Sequence, residues 1–493
     1  MNILLIDLNN FSRYPTMSIG YISAILRDDG HSVRVLSPFS VGVSSFPRVL
    51  RSKPWGIIDQ WTKYWTATTP TPVIKKLRHM VKKRVQPSSQ SNQKNTIFAA
   101  QNLVDDDTDL VMISAYTMYY ESCVQICGIA SNKNIPVIIG GPYFNQQNIS
   151  KKWLKIPGVS AIYGGEPENH LIDIVSALTS GKVPAHIPGL SFPDGISCGQ
   201  APPLENLDCL PFPDYSDFPW ELYPSRIIPM MTGRGCGWGS CTFCSDVVTS
   251  SGRGFQTRSP ENVIEEMRYQ SNRYKTNLFT FLDLKLNSDL PVWHELAHNS
   301  QSAVPNCIWT ASLHANSSAS NHDGLSAREL MDARAGGLVR LTTGLESGSS
   351  KILKSMGKGT STEILSQFIR YSSEAGISVR LTVIVGFPGE TGEDVKATTQ
   401  FINKHYNHVD RVVLNRFAIQ PGTPIHNRIV KNPDKYQQIS NLKLDLNTAS
   451  YDHINKVFFD KNHRRAMLGL IYAIHRVNRK PLQNASEIFE GVM

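Results

Sequence analysis

Twice along the chain, short runs of consecutive apolar residues alternate with stretches of helical periodicity, and this pattern restricts the fold more than any other feature. From residue 1 to about 195 the order is "ILLIDLN", "MSIGYISAILRDDG", "HSVRVLSP", "DLVMISAY", "IPVIIGGP" and "VSAIYGGEPENHLIDIVSAL". Strands that are apolar throughout are buried on both faces, and a helix between each pair returns the chain for parallel pairing. The expectation is a doubly wound, flavodoxin-like α/β domain over residues 1–198. From 227 to about 420 the alternation resumes at "IIPMMT", "LFTFLDL", "CIWTASL", "LVRLTTGLE", "ISVRLTVIVGF" and "RVVLNRFAIQ". A closed barrel takes eight such units in about 250 residues. Six units imply an open, partial (β/α)6 barrel over residues 227–425.

Between the two lies "APPLENLDCLPFPDYSDFPWELYPS", with six prolines in residues 201–225. It reads as a linker over residues 199–226, running along a surface. Residues 40–95 interrupt the first alternation with "WGIIDQWTKYW", the basic "KKLRHMVKKR" (75–84) and the polar "PSSQSNQKN". That is too long for an ordinary loop, so an insertion with some helix of its own is expected. Residues 426–493 read as a small, mostly helical cap or tail.

A chain of 493 residues with 41% apolar content can bury two or three sizeable cores, which excludes disordered and fibrous classes. "MNILLIDLNN" has no basic stretch ahead of its apolar run, and no segment reaches the roughly 18 apolar residues that cross a bilayer. A cytoplasmic location with no membrane partner is expected. The net charge of +9 is concentrated in "KKLRHMVKKR" and in "KNHRR" (461–465), which read as solvated helix faces. No nucleic-acid partner is expected; docking of an anionic ligand or carrier protein is the alternative.

Eight cysteines are too few for a disulfide scaffold in a chain of this size. Cys198, Cys209 and Cys307 are isolated, and Cys123 and Cys127, one helical turn apart, read as small buried hydrophobes. In "GRGCGWGSCTFC" (233–244), by contrast, Cys236, Cys241 and Cys244 fall within nine positions, just after the barrel's first strand, where barrel active sites form. Three thiolates can hold an iron–sulfur cubane with one iron left open. A zinc knuckle completed by a distant His314 or His426 is the competing reading. Doubly wound sheets bind ligands at their carboxyl edge, which here carries "SAYT" (114–117), "GGP" (140–142) and "GGEP" (164–167). Three such strand ends side by side favour a large ligand lying across the sheet.

The combination resembles the cobalamin-dependent radical S-adenosylmethionine (SAM) enzymes over nearly the whole chain, excepting the tail and the 40–95 insertion. "GRGCGWGSCTFCSD" resembles the family's cluster loop, "TTGLESGSSKILKSMGKGTS" (342–361) its fourth-strand signature, "VIVGFPGET" (383–391) its fifth and "QPGTP" (420–424) its sixth. The resemblance implies a [4Fe-4S] cluster on Cys236, Cys241 and Cys244, whose open iron chelates SAM and cleaves it to a 5′-deoxyadenosyl radical. It implies SAM contacts from Phe243, Glu346, Ser347 and Gly386, with Asp283 a candidate polar contact. It implies cobalamin contacts from Ser114, Thr117, Gly140, Gly141, Pro142, Gly164, Gly165 and Glu166. An external one-electron reductant of the flavodoxin or ferredoxin type and a small-molecule substrate complete the set.

Two departures stand out. The first gap between cysteines holds four residues, "GWGS", where the family most often has three, and "LDLKLN" replaces the Gly-Gly-Glu that many radical enzymes carry after the second strand. "DGHSVR" (29–34) only partly matches the Asp-x-His-x-x-Gly of proteins that ligate cobalt through histidine, because Arg34 ends it; His31 reads as a turn residue. The resulting expectation is methyl transfer to an unactivated carbon of a small secondary-metabolite intermediate. One SAM would recharge cobalamin with methyl, and a second would supply the radical. Rearrangement, cyclisation or dehydration without methylation is the alternative. Transfer-RNA methylthiolation would need further cysteines and an RNA-binding barrel, and a cobalamin sensor would leave the cysteine loop without a job. Tyr116, Tyr119, Asp283 and His314 are positional candidates for a general acid or base.

Overall fold

The computed structural model describes residues 1–9, 13–43, 56–69, 73–74, 88–180, 186–245, 254–316, 323–482 and 484–492. The basic run at 75–84 lies outside the described residues. The first sheet contains β1 (Asn2–Asp7), β2 (Ser32–Leu36), β3 (Leu110–Ser114), β4 (Val137–Gly140), β5 (Ala161–Tyr163) and β6 (Leu190–Ser191), in the order β2-β1-β3-β4-β5-β6. All pairs are parallel except β5 with β6. The strand order reverses at β1 and β3, which places the crevice for a ligand at their carboxyl ends.

The continuous apolar character of β1 has a direct cause. Ile3 and Leu5 enter the core under helices Met17–Asp28 and Leu171–Thr179, whereas Leu4 and Ile6 enter the core under Ser88–Leu103 and Tyr120–Ser131. Cys123 and Cys127 are buried in that second core, where desolvation raises both thiol pKa values. The insertion contains helix Ile57–Thr68, as expected of an insertion with some helix of its own, and its polar end opens helix Ser88–Leu103.

The second sheet starts at β7 (Ile227–Met230). After a short antiparallel pair, β8 (Gly233–Arg234) with β9 (Gln256–Thr257), it continues through β10 (Leu278–Phe281), β11 (Ile308–Ser312), β12 (Leu338–Glu346), β13 (Ser378–Val385) and β14 (Arg411–Arg416). The order is β14-β13-β12-β11-β10-β7, parallel throughout. Six strands leave the barrel open. Helix Lys461–Asn478 packs on the free edge, where the Asn478 side chain bonds both the N–H and the carbonyl of Val412. At the opposite end of the strands, Phe489 and Val492 join Ile227, Val339 and Tyr14 in a separate apolar cluster that fills the barrel floor.

Two expectations are corrected. The Pro-rich segment does not simply run along a surface: Tyr215 is 0% exposed, its hydroxyl donates to the Pro229 carbonyl at 3.0 Å, and its N–H donates to the Tyr274 hydroxyl at 2.7 Å. Gly20 has no side chain because a Cβ there would overlap the Tyr215 ring. The segment is wedged between the two sheets' helices because aromatic residues alternate with its prolines. The C-terminal region is not purely helical either, for β15 (Ile439–Asp445) and β16 (Ser450–Asn455) form an antiparallel hairpin. "KNHRR" is also only partly a solvated face, because His463 is wholly buried against Glu390. Among the described residues no helix is long and apolar enough to cross a membrane.

Candidate active site

The chain leaves β7 into a turn that is tied down before it reaches the cysteines. The Asp283 carboxylate accepts from the Thr232 N–H at 3.0 Å, the Thr232 hydroxyl at 2.7 Å and the Gly233 N–H at 2.9 Å. Burial raises the Asp283 pKa to about 6 against the pull of these donors. Gly235 follows with φ of +83°, and a Cβ there would overlap the Gly254 carbonyl. Only glycine fits such a position without strain.

Cys236, Cys241 and Cys244, half-buried and in no disulfide, stand on the loop that follows. The Trp238 indole donates to the Gly357 carbonyl at 2.9 Å and its ring fills the space over Gly359. Thr242 donates its N–H to Met356 at 2.8 Å and accepts on its carbonyl from the Ile425 N–H at 2.9 Å. The "MGKG" and "PGTPI" segments thus serve as walls that hold the cysteine loop. Phe243 packs against Phe387, with ring centres 6.5 Å apart.

Charged side chains gather beside the triad. A register shift after Gly344 turns Glu346 into the site with φ of +56°, a left-handed conformation that costs a non-glycine residue on the order of 1 kcal/mol. Its carboxylate accepts from Lys358 Nζ at 3.1 Å and from the Thr382 hydroxyl at 3.2 Å. A side chain at Gly344 would occupy the space of that pair. Burial pulls the Lys358 pKa down, but Glu346 and the thiols of Cys241 and Cys244 outweigh it and raise the pKa overall. Burial raises the Cys241 thiol pKa, opposed by Lys358. His314 is held neutral: burial first, then Lys358 and Lys285, lower its pKa to about 3. Its Nε2–H donates to the Lys358 carbonyl at 2.9 Å, leaving Nδ1 buried with no partner among the described residues.

The donor set fits a cubane better than zinc. A tetrahedral zinc ion brings its sulfurs to about 3.8 Å from one another. Among the described residues no three His, Cys, Asp or Glu side chains converge in this way. His314 is engaged with Lys358, and His426 stacks on Tyr451 at 4.6 Å. Three thiolates, each on a different iron, are the ligand set of a cubane with one iron left open.

Other expected SAM contacts stand differently in the fold. The Ser347 hydroxyl is wholly buried, accepts from the Ser349 N–H at 3.2 Å and faces Thr398. Gly386, with φ of +83°, donates its N–H to Glu390 at 2.6 Å and accepts on its carbonyl from Asn455 at 2.7 Å. A Cβ at Gly386 would overlap the Phe458 ring, so this glycine accommodates the C-terminal region.

At the carboxyl edge of the first sheet lies a cavity of about 480 Å³. Ser114, Gly140, Gly141, Pro142, Gly165 and Glu166 line it, and Leu5, Met112, Ile138 and Ile174 give it an apolar depth. Thr117, buried in the turn after β3, and Gly164 are not among its lining residues. Gly164 and Gly141 are required by their neighbours, because a Cβ would overlap the carbonyls of Phe144 and Ala115 respectively. Asn9, Tyr21 and Arg234 also line the cavity; Asn9 and Tyr21 stand in no motif, and Arg234 stands at the head of the cluster loop without being among its expected contacts. Arg234 spans the two domains, with Glu168 at 2.6 Å and Glu166 at 3.0 Å, while Glu166 also accepts from the Leu204 N–H at 3.0 Å. His31 is far from this edge: it lies just before β2 at the sheet's other end, paired with Asp29 at 3.2 Å and beside the Met1 amino group.

Residues 230–402 match the Radical SAM superfamily. The chain is a radical SAM enzyme. It is 28% identical to an uncharacterized methyltransferase of Pyrococcus horikoshii over 71% of this chain and 74% of that one. It is 23% identical to the cytidylyl-2-hydroxyethylphosphonate methyltransferase of Streptomyces wedmorensis, over 84% and 76%. Among solved structures, this radical SAM enzyme shares its fold with the cobalamin-dependent radical enzyme OxsB. The TM-score is 0.66 at 17% identity, over 92% of this chain and 64% of OxsB, so the chain spans just under two thirds of that protein. It likewise matches the methyltransferase TsrM of Kitasatospora setae, with a TM-score of 0.60 at 16% identity, over 87% and 78%.

Proposed function

We propose that this radical SAM enzyme is a cobalamin-dependent methyltransferase that methylates an unactivated carbon of a small biosynthetic intermediate, with an external one-electron reductant. One observation carries the reading. Gly233, Arg234 and Gly235, which lead directly into the cysteine triad, line the same cavity as the strand tips Gly140, Gly141 and Gly165. A group lying on those tips therefore faces whatever the cysteines hold. The two methyltransferases among the relatives and the cobalamin-bound OxsB and TsrM structures support the same reading.

When bound, the cluster with SAM supplies hydrogen abstraction, and cobalamin supplies methyl transfer. The chain's own residues do the rest. Cys236, Cys241 and Cys244 hold the cluster, and Asp283 positions their loop by binding its lead-in backbone. Glu346, Lys358 and Thr382 present a polar wall to SAM, with Phe243 on the apolar side. Gly140, Gly141, Pro142 and Gly165 would hold cobalamin on a bed of mostly backbone, and the apolar slot lined by Met112 and Ile138 would shield it from water. No cobalt ligand comes from His31, because it lies at the wrong end of the sheet.

The test is anaerobic reconstitution with iron, sulfide and cobalamin, then incubation with reductant, candidate substrate and methyl-labelled SAM. Comparable amounts of 5′-deoxyadenosine and S-adenosylhomocysteine, with label in the product, are expected. Deoxyadenosine alone would replace methylation by a radical rearrangement, cyclisation or dehydration.

A further inference from the structure

One side chain belongs to the barrel but finds its partners in the first domain. Arg234 stands two residues before Cys236, on backbone that the barrel has already fixed. Its strand β8 pairs with β9, the Thr232 carbonyl accepts from the Arg258 N–H at 2.8 Å, and Asp283 takes the N–H groups of Thr232 and Gly233. Arg258 also donates to the Met231 carbonyl at 3.0 Å and pairs with the wholly buried Glu266. The Arg234 main chain is thus anchored on the barrel side.

Its guanidinium reaches the turn after β5. Nη2 donates to Glu168 at 2.6 Å, Nη1 lies 3.0 Å from Glu166, and the Tyr21 ring centre is 5.9 Å away. That turn carries part of the strand-tip bed, since Gly165, Glu166 and Glu168 line the cavity with Arg234. Glu166 is held from behind: its carboxylate accepts from the Leu204 N–H and its carbonyl from the Tyr163 hydroxyl, both at 3.0 Å. The Arg234, Glu166 and Glu168 side chains are 16%, 18% and 8% exposed, so solvent and salt screen their attraction far less than at a surface. A planar fork can address two carboxylates at once, which an ammonium cannot do with the same geometry. Arg27, Arg13 and Lys152 also reach out of the first domain, but to Asp214, the Ile488 carbonyl and Asn447, in the linker and the C-terminal region.

We propose that Arg234 is a positioning residue that couples the two cofactor sites, holding the strand-tip bed and the cluster loop at one fixed facing. This rests on the reading of the triad as the cluster site and of the strand tips as the cobalamin bed. Arg234 is continuous with the cluster loop at one end and ion-paired to the bed at the other. Ordering either side therefore orders the other, and a group bound at one site lowers the ordering cost of binding at the second. The same facing keeps radical formation in register with methyl transfer.

The experiment uses the full chain as wild type, Arg234→Lys, Arg234→Gln and the double variant Arg234→Gln with Glu168→Gln. Cobalamin affinity is measured on protein without its cluster and on protein with the cluster assembled and oxidised. Wild type is expected to bind cobalamin about 10-fold more tightly when the cluster is present, and Arg234→Gln equally in both states, within about twofold. Arg234→Lys should keep its cluster content and melting temperature yet lose most of the coupling, because it keeps the charge and loses the fork. In turnover the ratio of 5′-deoxyadenosine to methylated product should rise about 10-fold in Arg234→Gln. The double variant removes one of the two carboxylates left facing each other, so it serves if the single variant fails to fold, and it should show the same loss of coupling. Wild-type protein without coupling, or Arg234 variants that keep both the coupling and the product ratio, would overturn the assignment. So would a lower melting temperature as the sole effect, which is what a merely structural bridge predicts. Failure of the wild type to assemble its cluster or to bind cobalamin would instead bring down the reading of the two sites, and this inference with it.

Discussion

The two strand-end sites meet in one space but are built in opposite ways. At the edge of the first sheet the walls are backbone: Gly140, Gly141, Pro142 and Gly165 contribute almost no side chain to the cavity. At the mouth of the barrel the site is made of side chains, with three thiols, the Glu346–Lys358 pair, Lys285 and neutral His314 pressed around one loop. A doubly wound sheet spends its side chains on two buried faces and leaves its tips bare. An open barrel turns one strand face inward and can load it with polar groups. The first site binds by leaving room and the second by supplying groups, so they should fail differently under mutation.

The largest effect should come from taking away a group. Alanine at Cys236, Cys241 or Cys244 should abolish the cluster, read as bound iron and acid-labile sulfide, and reduce 5′-deoxyadenosine formation to background. At the first site, damage should instead come from adding atoms. Gly141→Ala forces a Cβ onto the Ala115 carbonyl at a φ of +149°, and is expected to cost about 1–3 kcal/mol of stability and to weaken cobalamin binding strongly. Gly140→Ala is the sharper probe. Its nearest neighbour atom would be the Tyr163 carbonyl oxygen at 3.8 Å, so the fold should tolerate it, and a drop in cobalamin affinity without a change in melting temperature would show that the corrin lies on the strand tip.

Asp283 links the two sites and should show a pH signature. Its folded pKa of about 6 exceeds the ordinary 3.8, so between those values the folded state holds more protons than the unfolded one. Its contribution to stability is therefore fullest at acid pH and declines as the pH rises from about 4 to 6. Asp283→Asn should remove that slope and change neutral-pH stability by about 1 kcal/mol or less, because a single amide oxygen can keep the three donors that Asp283 Oδ1 accepts. Thermal melts across pH 4–8 would check both. The smallest effect is expected at His31, at the far end of the sheet: His31→Ala should leave cobalamin affinity and its visible spectrum unchanged.

What could be read from the sequence follows the same division. The strand tips and the cysteine loop were legible because glycine pairs and closely spaced cysteines are local signals. The roles of Lys358, Thr382 and Arg234 were not, since each depends on register: Lys358 returns to Glu346 only after helix Ser350–Met356, and Arg234 finds Glu168 only because the domains face each other. Ser347 and Gly386 stand in the right motifs, but the backbone shift before Glu346 and the Phe458 ring decide what they touch. The C-terminal hairpin was obscured because "ISNLKLD" and "SYDHIN" are half-exposed strands with weak alternation.

The most direct measurement is electron–nuclear double resonance on the anaerobically reconstituted, reduced protein incubated with SAM labelled at its amino nitrogen and carboxylate oxygen. A [4Fe-4S] cluster with hyperfine coupling to both labels, lost in Cys241→Ala, is the predicted result. A protein that takes up zinc in place of iron, or a cluster showing no coupling to either label, would contradict the account.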